Sequence, residues 1–332
     1  MVTIYDVAKR AGVSPATVSR VFNGANVSPE RAQAVRQAAD DLSFVPNRNA
    51  MRLRRGSSQI IAMVIPGIEN PFFTVMIRAV EELAREHGYS VMLRSTNENP
   101  VLERESLRVA VGEPVAGIIL APTRESVFDP AVVRQVPVVC VDRRSPGPHV
   151  DSVVADNVGG ARAGVQMLFD AGYRRVACVT GPQEIETAVD RAEGWRRATL
   201  DTLGHGPDPQ ILVETDFSVT AAEAATYALL DLPTPPDAIF AANNRIAAGV
   251  IRGLAARGLL PPRMGVVAFG GLPLVVLRPR GIMVTHLPAR EIGLTATRML
   301  LERIGGFDGP PRDVVLPVVL GDDDSGLTLE GF

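Results

Sequence analysis

Two short helical patterns separated by one glycine stand near the start of the chain. In the first, apolar residues recur at helical spacing and predict one buried stripe; they are Ile4, Val7, Ala8 and Ala11. Gly12 permits a sharp reversal, because glycine adopts the left-handed conformation without steric cost. Ser14 and Pro15 predict the start of a second helix. Two helices joined in this way predict a helix-turn-helix, whose second helix fits the DNA major groove.

The second helix divides into a buried and an exposed side. Val18, Val21 and Phe22 are predicted to be buried. The outward residues are Pro15, Ala16, Thr17, Ser19 and Arg20. A third helix is predicted from Pro29 to about Leu42, with the Ser28 side chain as its cap. An ordinary pair of packed helices has the same spacing, so the pattern alone leaves that alternative open.

The match to one family goes beyond spacing. Residues 3–24, 27–30 and 46–47 stand where the lactose/galactose repressor (LacI/GalR) family has them. The chain therefore resembles a dimeric transcription regulator of that family, most often a repressor. The resemblance implies binding to a pseudo-palindromic DNA operator under the control of a small-molecule effector.

The resemblance also implies roles in DNA binding. Arg20 would face base edges, since the forked donors of arginine fit guanine O6 and N7. The residues implied at the groove end of the recognition helix are Pro15, Ala16 and Thr17. Those implied in positioning contacts to phosphates are Tyr5, Ser14, Ser19 and Asn23. A contact from Arg20 to phosphate alone is the alternative.

Residues 47–58 follow as a short basic segment. From its residues alone it is a solvated linker, because an isolated helix of this length is marginal in water. The resemblance instead implies a hinge helix that orders on operator DNA and enters the minor groove beside its partner. Asn47 would be one of the DNA contacts, Ala50 would pack against the partner hinge, and Leu53 would wedge between base steps. Met51 departs from the arginine common in the family.

Charge is distributed unevenly along the chain. Residues 1–56 carry nine Lys and Arg against four Asp and Glu, a formal charge of +5. The remainder of the chain carries 25 Lys and Arg against 33 Asp and Glu, a formal charge of −8. A basic first segment on an acidic body favours binding a polyanion by one end only.

From residue 59 onward, strand-like apolar runs alternate with helical patterns in two successive series, which indicates parallel sheets. The predicted fold class is an all-α helix-turn-helix headpiece with a hinge helix, followed by an α/β two-lobed core. The resemblance implies that this core is periplasmic-binding-protein-like. The predicted domains are residues 1–46 (headpiece), 47–58 (hinge) and 59–332 (effector-binding and dimerisation core). Lobe 1 is predicted at about 59–157 and 288–316, and lobe 2 at about 158–287 and 317–332. One strand is predicted over residues 314–320.

Ligands of parallel sheets bind beyond the carboxyl ends of the strands. The candidate effector-binding residues follow predicted strands or match positions that face effector in relatives: Phe72, Phe73, Asp142, Arg191, Phe217 and Asn243. Each has a simpler alternative. An aromatic residue after a strand more often belongs to the core. Asn243 can cap the next helix, and Asp142 can pair with Arg143.

The core departs from the family pattern at several places, including residues 283–285, which stand where a threonine pair is usual, and residues 286–288, which replace a polar tripeptide. Gly270 and Gly271 replace an acidic pair common in relatives, and Asn244 replaces the usual aspartate. A polyhydroxy ligand favours carboxylates, which accept from two hydroxyls each. The departures therefore indicate a less polar effector, a smaller one, or none, and the sequence does not choose among these.

Motifs of other protein classes are missing. The chain has no phosphate-loop Gly-Lys-Ser/Thr, no dinucleotide-binding glycine motif after the first core strand and no nucleophile elbow, so no enzyme is predicted. Its four histidines are scattered. Cys140 and Cys178 have no paired spacing, so neither a metal site, a disulfide nor a cofactor is predicted.

Location and assembly follow from the same sequence. No apolar run reaches membrane-spanning length and no signal-peptide core is present, so the protein is expected in the cytoplasm, on the nucleoid when bound to operator. The missing signal peptide and the predicted helix-turn-helix both oppose an alternative hypothesis, a periplasmic solute receptor. Two half-sites require a homodimer. Residues 321–332 lack leucine heptads, which argues against a tetramer formed through a coiled coil.

Overall fold

The computed structural model divides the chain into two compact units, Met1–Ser58 and Gln59–Phe332. Within them it describes residues 2–22, 27–44, 58–112, 115–123, 132, 135–147, 149–272 and 281–322. The first unit contains helices α1 (Ile4–Ala11), α2 (Pro15–Phe22) and α3 (Pro29–Asp41).

The turn between α1 and α2 has the conformation that the glycine predicts. Gly12 is left-handed, with φ of +66°, and its N–H donates to the Ala8 carbonyl. Ser14 Oγ accepts from the Thr17 N–H at 3.2 Å, which confirms the predicted cap. Ser28 precedes α3 without a side-chain cap, so that prediction is wrong; the residue is exposed, and water can satisfy the first amides.

The three helices enclose a small apolar core. Val7, Val18 and Val35 are fully buried at its centre. Phe22 and Phe44 pack beside them with ring centroids 6.0 Å apart. Two short helices are therefore held by a third, because helices of eight residues are not stable alone.

The second unit contains two six-stranded sheets with helices on their faces. Its first series is β1 (Ile60–Ile65), α4 (Pro71–Glu86), β2 (Ser90–Ser95), α5 (Pro100–Gly112), β3 (Gly117–Leu120), β4 (Val138–Val141) and β5 (Asp151–Ala155). The second is α6 (Asn157–Asp170), β6 (Val176–Thr180), α7 (Glu186–Leu203), β7 (Leu212–Glu214), α8 (Val219–Leu230), β8 (Ala238–Ala241), α9 (Asn244–Ala256) and β9 (Gly265–Phe269). The last elements are β10 (Ile282–His286), α10 (Ala289–Ile304), β11 (Asp313–Leu316) and β12 (Val319–Asp322).

The two sheets have the same arrangement. The first has the order β11-β5-β4-β3-β1-β2, and the second has the order β12-β10-β9-β8-β6-β7. The central strands are buried along their whole length, as continuous apolar runs covered on both faces require. All pairings are parallel except that of β12, which runs antiparallel to β10.

The single strand predicted over residues 314–320 is wrong. Two strands are present, β11 in the first sheet and β12 in the second. Pro317, between them, has no N–H to donate to a ladder, and the chain changes lobe there. The strand β10 also lies outside the predicted series.

The described chain crosses between the lobes at three neighbouring places. The crossings follow β5, β10 and β11. Leu316 is in register with Ala155 in one sheet, and His286 with Val319 in the other. The connections therefore lie side by side at one edge of the core.

Candidate functional site

A cleft of about 470 Å³ lies between the two lobes of the core. It is lined from both sides by residues that follow the carboxyl ends of strands. The structure brings all six candidate effector residues to this cleft, namely Phe72, Phe73, Asp142, Arg191, Phe217 and Asn243. Their roles in binding remain predictions.

Arg191 lies on α7 and is only 4% exposed. Its Nε donates to Asn157 Oδ1 at 2.8 Å and its Nη1 to the Ala242 carbonyl at 2.9 Å. The guanidinium lies 4.4 Å from the centroid of the Phe269 ring. Burial lowers the pKa of Arg191 to about 10, with Asp142 opposing the shift, so the side chain is charged at neutral pH.

Asp142 follows β4 and is buried in a left-handed conformation, with φ of +66°. Its backbone N–H donates to the Val153 carbonyl at 3.2 Å. Burial raises the pKa of its carboxyl, while Arg143 and Arg191 act in the opposite direction. The Asp142 carboxyl group therefore lies between two guanidinium groups, where its oxygens are able to accept from a hydroxyl.

Arg143 and Glu98 form a second charged group that the sequence did not reveal. Arg143 Nη2 and Nη1 donate to the two oxygens of Glu98 at 2.7 and 2.9 Å. Arg143 Nε also lies 3.2 Å from Asp142 Oδ2, which is the pairing considered as an alternative above. Glu98 follows β2, so the rule that selected Asp142 after β4 also selects this position.

The aromatic candidates fall into two groups. Phe72 and Phe73 are 6% and 4% exposed, and their rings pack edge to face at 5.1 Å in the apolar core of lobe 1. Both residues line the cleft, but most of their surface is buried in the core beneath it. Phe217 is half-buried and left-handed, with φ of +64°, and its ring lies directly against Gly181. This ring has the position of a stacking surface.

Polar contacts join the lobes across the cleft. Asn244 Nδ2 donates to Asn70 Oδ1 at 2.7 Å, and Arg245 Nη1 lies 3.2 Å from Glu69 Oε2. Asn243 Oδ1 accepts from the Arg245 N–H at 2.7 Å, which confirms its predicted alternative as the cap of α9. Asn243 nevertheless lines the cleft, so capping and ligand binding are compatible.

Substituting Gly181 with alanine is expected to displace the Phe217 ring and to weaken the binding of any ligand that stacks on that ring. A Cβ at Gly181 would lie 2.1 Å from Phe217 Cζ, well inside van der Waals contact. We expect at least about a tenfold loss of ligand affinity, equivalent to about 1.4 kcal/mol, with operator affinity unchanged. Titration of both ligand and operator checks this. A further loss of the same size in Gly181→Ala/Phe217→Ala relative to Phe217→Ala would contradict the mechanism, because no ring remains to be displaced.

The headpiece presents several of its candidate DNA contacts at the surface. Tyr5, Ser14, Ala16 and Arg20 are exposed, whereas Pro15, Thr17 and Ser19 are half-buried. Arg20 stands in the last turn of α2, on the side opposite the buried Val18. The candidates Asn23, Asn47, Ala50 and Leu53 lie outside the described residues.

Membrane spans, metal sites and reactive thiols are other kinds of feature that the described part of the chain could contain. No helix there is long and apolar enough to span a membrane. No group of three or more His, Cys, Asp or Glu residues within the same ranges is placed to hold a metal ion. Cys140 and Cys178 are buried free thiols, and burial raises the pKa of both.

A helix-turn-helix unit followed by a two-lobed core with a polar cleft defines a ligand-responsive, DNA-binding transcription regulator. Residues 3–47 match the model of bacterial regulatory proteins of the lacI family. Residues 58–322 match that of periplasmic binding proteins and the sugar binding domain of the LacI family. The chain belongs to the LacI family.

Individual relatives align over nearly the whole chain. The ribose operon repressor of Halalkalibacterium halodurans is 34% identical over 306 residues, which cover 92% of this chain and 91% of that protein. The repressor CytR of Escherichia coli is 30% identical, over 92% of this chain and 90% of its own.

Solved structures show the same architecture. A lac repressor dimer bound to operator and the anti-inducer ONPF superposes with a TM-score of 0.84 at 26% identity, covering 96% of this chain and 97% of that one. A complex of the regulator CelR with cellobiose superposes with a TM-score of 0.72 at 29% identity. The match covers 98% of this chain and 100% of that one. The predicted family, fold class and assignment as a DNA-binding regulator rather than an enzyme are confirmed.

Proposed function

We propose that the protein represses transcription as a homodimer on a pseudo-palindromic operator, and that a small sugar in the interlobe cleft controls it. The observation that carries the proposal is the cleft itself, where the buried side chains of Asp142 and Arg191 line the same space as the Phe217 ring. Its volume of about 470 Å³ suits a small ligand.

The chemistry of the cleft suits a polyhydroxylated ring. Asp142 and Asp216 offer acceptors, and Arg191 offers donors. Apolar faces of sugars pack on aromatic rings, and Phe217 supplies one. Gly270 and Gly271 contribute no side-chain acceptor and are both left-handed, with φ of +93° and +81°. With fewer acceptors than relatives that carry an acidic pair at these two positions, the cleft favours a smaller sugar. The similarity to a ribose operon repressor makes D-ribose the first sugar to test.

For the headpiece, we propose base contacts from Arg20 and positioning contacts from the residues around it. The exposed position of Arg20 on α2 supports this. The roles of Asn47, Ala50 and Leu53 in a minor-groove hinge rest on the family resemblance. Such a regulator acts in the bacterial cytoplasm, on the nucleoid when bound to operator.

A second candidate function is a DNA binder that has lost effector control. Two observations favour it: the glycine pair at residues 270–271, and the Asn70–Asn244 hydrogen bond, a direct contact between protein side chains that joins the lobes. Such a protein would bind operator with the same affinity whatever metabolite is present.

Thermal unfolding with D-ribose and cellobiose tests the proposal. A ligand that binds only the folded state stabilises it by about 2.7 kcal/mol at 100 times its Kd. We expect D-ribose to raise Tm and to change operator affinity, and cellobiose, a larger sugar, to do neither. If neither sugar changes Tm or operator binding while operator binding itself is specific, the effector-free alternative is supported instead.

A further inference from the structure

We propose that Glu98 determines ligand specificity: it occupies the donors of Arg143 and thereby excludes anionic ligands from the cleft. This inference rests on the proposed function, since it concerns the effector cleft. It identifies the charge class of the effector as neutral.

Few of the N–H donors of the Arg143 guanidinium remain available to a ligand. Two of its nitrogens donate to the two Glu98 oxygens, and Nη1 also donates to the Pro122 carbonyl at 3.0 Å. The Arg143 side chain is 8% exposed and that of Glu98 is 31% exposed, so the carboxylate is the more accessible member of the pair. A paired, two-point contact of this kind is the one that a ligand carboxylate or phosphate would otherwise make.

The loop after β2 holds Glu98 in this place. Asn97 and Glu98 are both left-handed, with φ of +50° and +57°, which is uncommon for residues other than glycine. The Asn97 N–H donates to the Pro66 carbonyl at 2.7 Å, and Ser95 Oγ donates to the same carbonyl. A loop anchored to the end of β1 therefore directs Glu98 toward Arg143.

Among the two buried arginines of the cleft and the carboxylates beside them, the charges balance only because Glu98 is present. Glu69, Asp216 and Arg245 also line the cleft, at its more exposed rim, and add one further negative charge. The buried arginines Arg143 and Arg191 face the two carboxylates Glu98 and Asp142. Glu103 also acts on Arg143 from behind, but it accepts the Thr123 N–H and does not line the cleft. An anionic ligand would add an uncompensated negative charge beside Glu98, which is unfavourable next to arginines that are already paired and buried.

Removing the negative charge of Glu98 should allow the cleft to bind anionic ligands. Glu98→Gln keeps the size of the side chain and leaves the group of two arginines and Asp142 with one positive charge in excess. An anion then restores the balance and accepts the released Arg143 donors. A charge-assisted contact of this kind corresponds to about tenfold or more in affinity.

Glu69→Gln is the matched control. Glu69 is a carboxylate on the rim of the same cleft, paired with Arg245, but its side chain is 76% exposed. The substitution removes the same charge from the cleft without freeing a buried guanidinium. Glu98→Ala is a second test variant, which makes the same charge change without the Gln amide.

The experiment measures Tm of the full chain with inorganic phosphate, D-ribose and D-ribose 5-phosphate, each against chloride of equal ionic strength. We expect phosphate to raise Tm of Glu98→Gln and Glu98→Ala above any effect on wild type and on Glu69→Gln. D-ribose 5-phosphate should bind the two Glu98 variants at least about tenfold more tightly than wild type. Anion binding by the basic headpiece is common to all four proteins and cancels in the comparison.

Two results would overturn the proposal: phosphate acting equally on all four proteins, or wild type binding D-ribose 5-phosphate as tightly as the Glu98 variants. The phosphate measurement needs no knowledge of the effector. If D-ribose fails on wild type while phosphate acts on the Glu98 variants alone, the sugar assignment fails and the role of Glu98 stands.

Discussion

Arg20→Ala is expected to reduce operator affinity by at least about 30-fold. One bidentate contact from arginine to guanine contributes about 1–3 kcal/mol of discrimination, and a homodimer places two such contacts on its operator. Arg20 is exposed on α2 and lies opposite the buried core residue Val18, so its loss leaves the headpiece fold intact. The effect is therefore on binding and not on stability.

The comparison of operator with random DNA decides whether Arg20 contacts bases. Affinity for random duplex comes from phosphate contacts and should fall by much less than operator affinity. Arg36→Ala is the matched control, because Arg36 is an exposed arginine of the same headpiece on α3. Equal losses on operator and random DNA in Arg20→Ala would assign Arg20 to phosphate.

Arg191→Ala is expected to abolish the response to effector while operator binding is retained. Arg191 supplies buried donors to the cleft, and its removal leaves Asp142 with Arg143 as its nearby cation. Loss of one partner from such a buried group typically costs about 3–5 kcal/mol of folding stability. The experiment therefore runs well below the Tm of the variant, where the protein is folded.

Operator titrations with and without D-ribose measure this effect. Arg196→Ala is the control on the same helix: Arg196 is 40% exposed and lies 3.8 Å from Glu193, so its loss should cost at most about 1 kcal/mol. The control should respond to D-ribose as wild type does. A dose response in Arg191→Ala that matches wild type would remove Arg191 from the effector site.

The headpiece and the strand–helix series were predictable because their signals are local. Gly12 and the cap at Ser14 each act within a few residues of the chain. The buried strands are continuous apolar runs, which are legible without knowledge of their neighbours. The strand over residues 314–320 was misread because its apolar run is continuous while its two halves pair in different sheets.

The site was predictable only in part, for the same reason. The residues predicted after strands line the cleft, because parallel strands end at a common edge, while their roles in effector binding stay predictions. The pairing of Glu98 with Arg143 joins residues 45 positions apart, and that of Asn70 with Asn244 joins residues 174 apart. The first contact depends on which loops the order of strands in one sheet brings together, and the second on how the two lobes face each other. A local sequence pattern records neither.

The three adjacent crossings between the lobes restrict how the core can move. Because the three connections lie at one edge, they allow one lobe to rotate relative to the other about that edge. They oppose a translation of one lobe along the other. Displacement in such a rotation grows with distance from the axis, and β2 and β7 lie at the opposite edges of their sheets. Such a rotation would displace Glu98 and Phe217, which follow those strands, further than residues near the crossings.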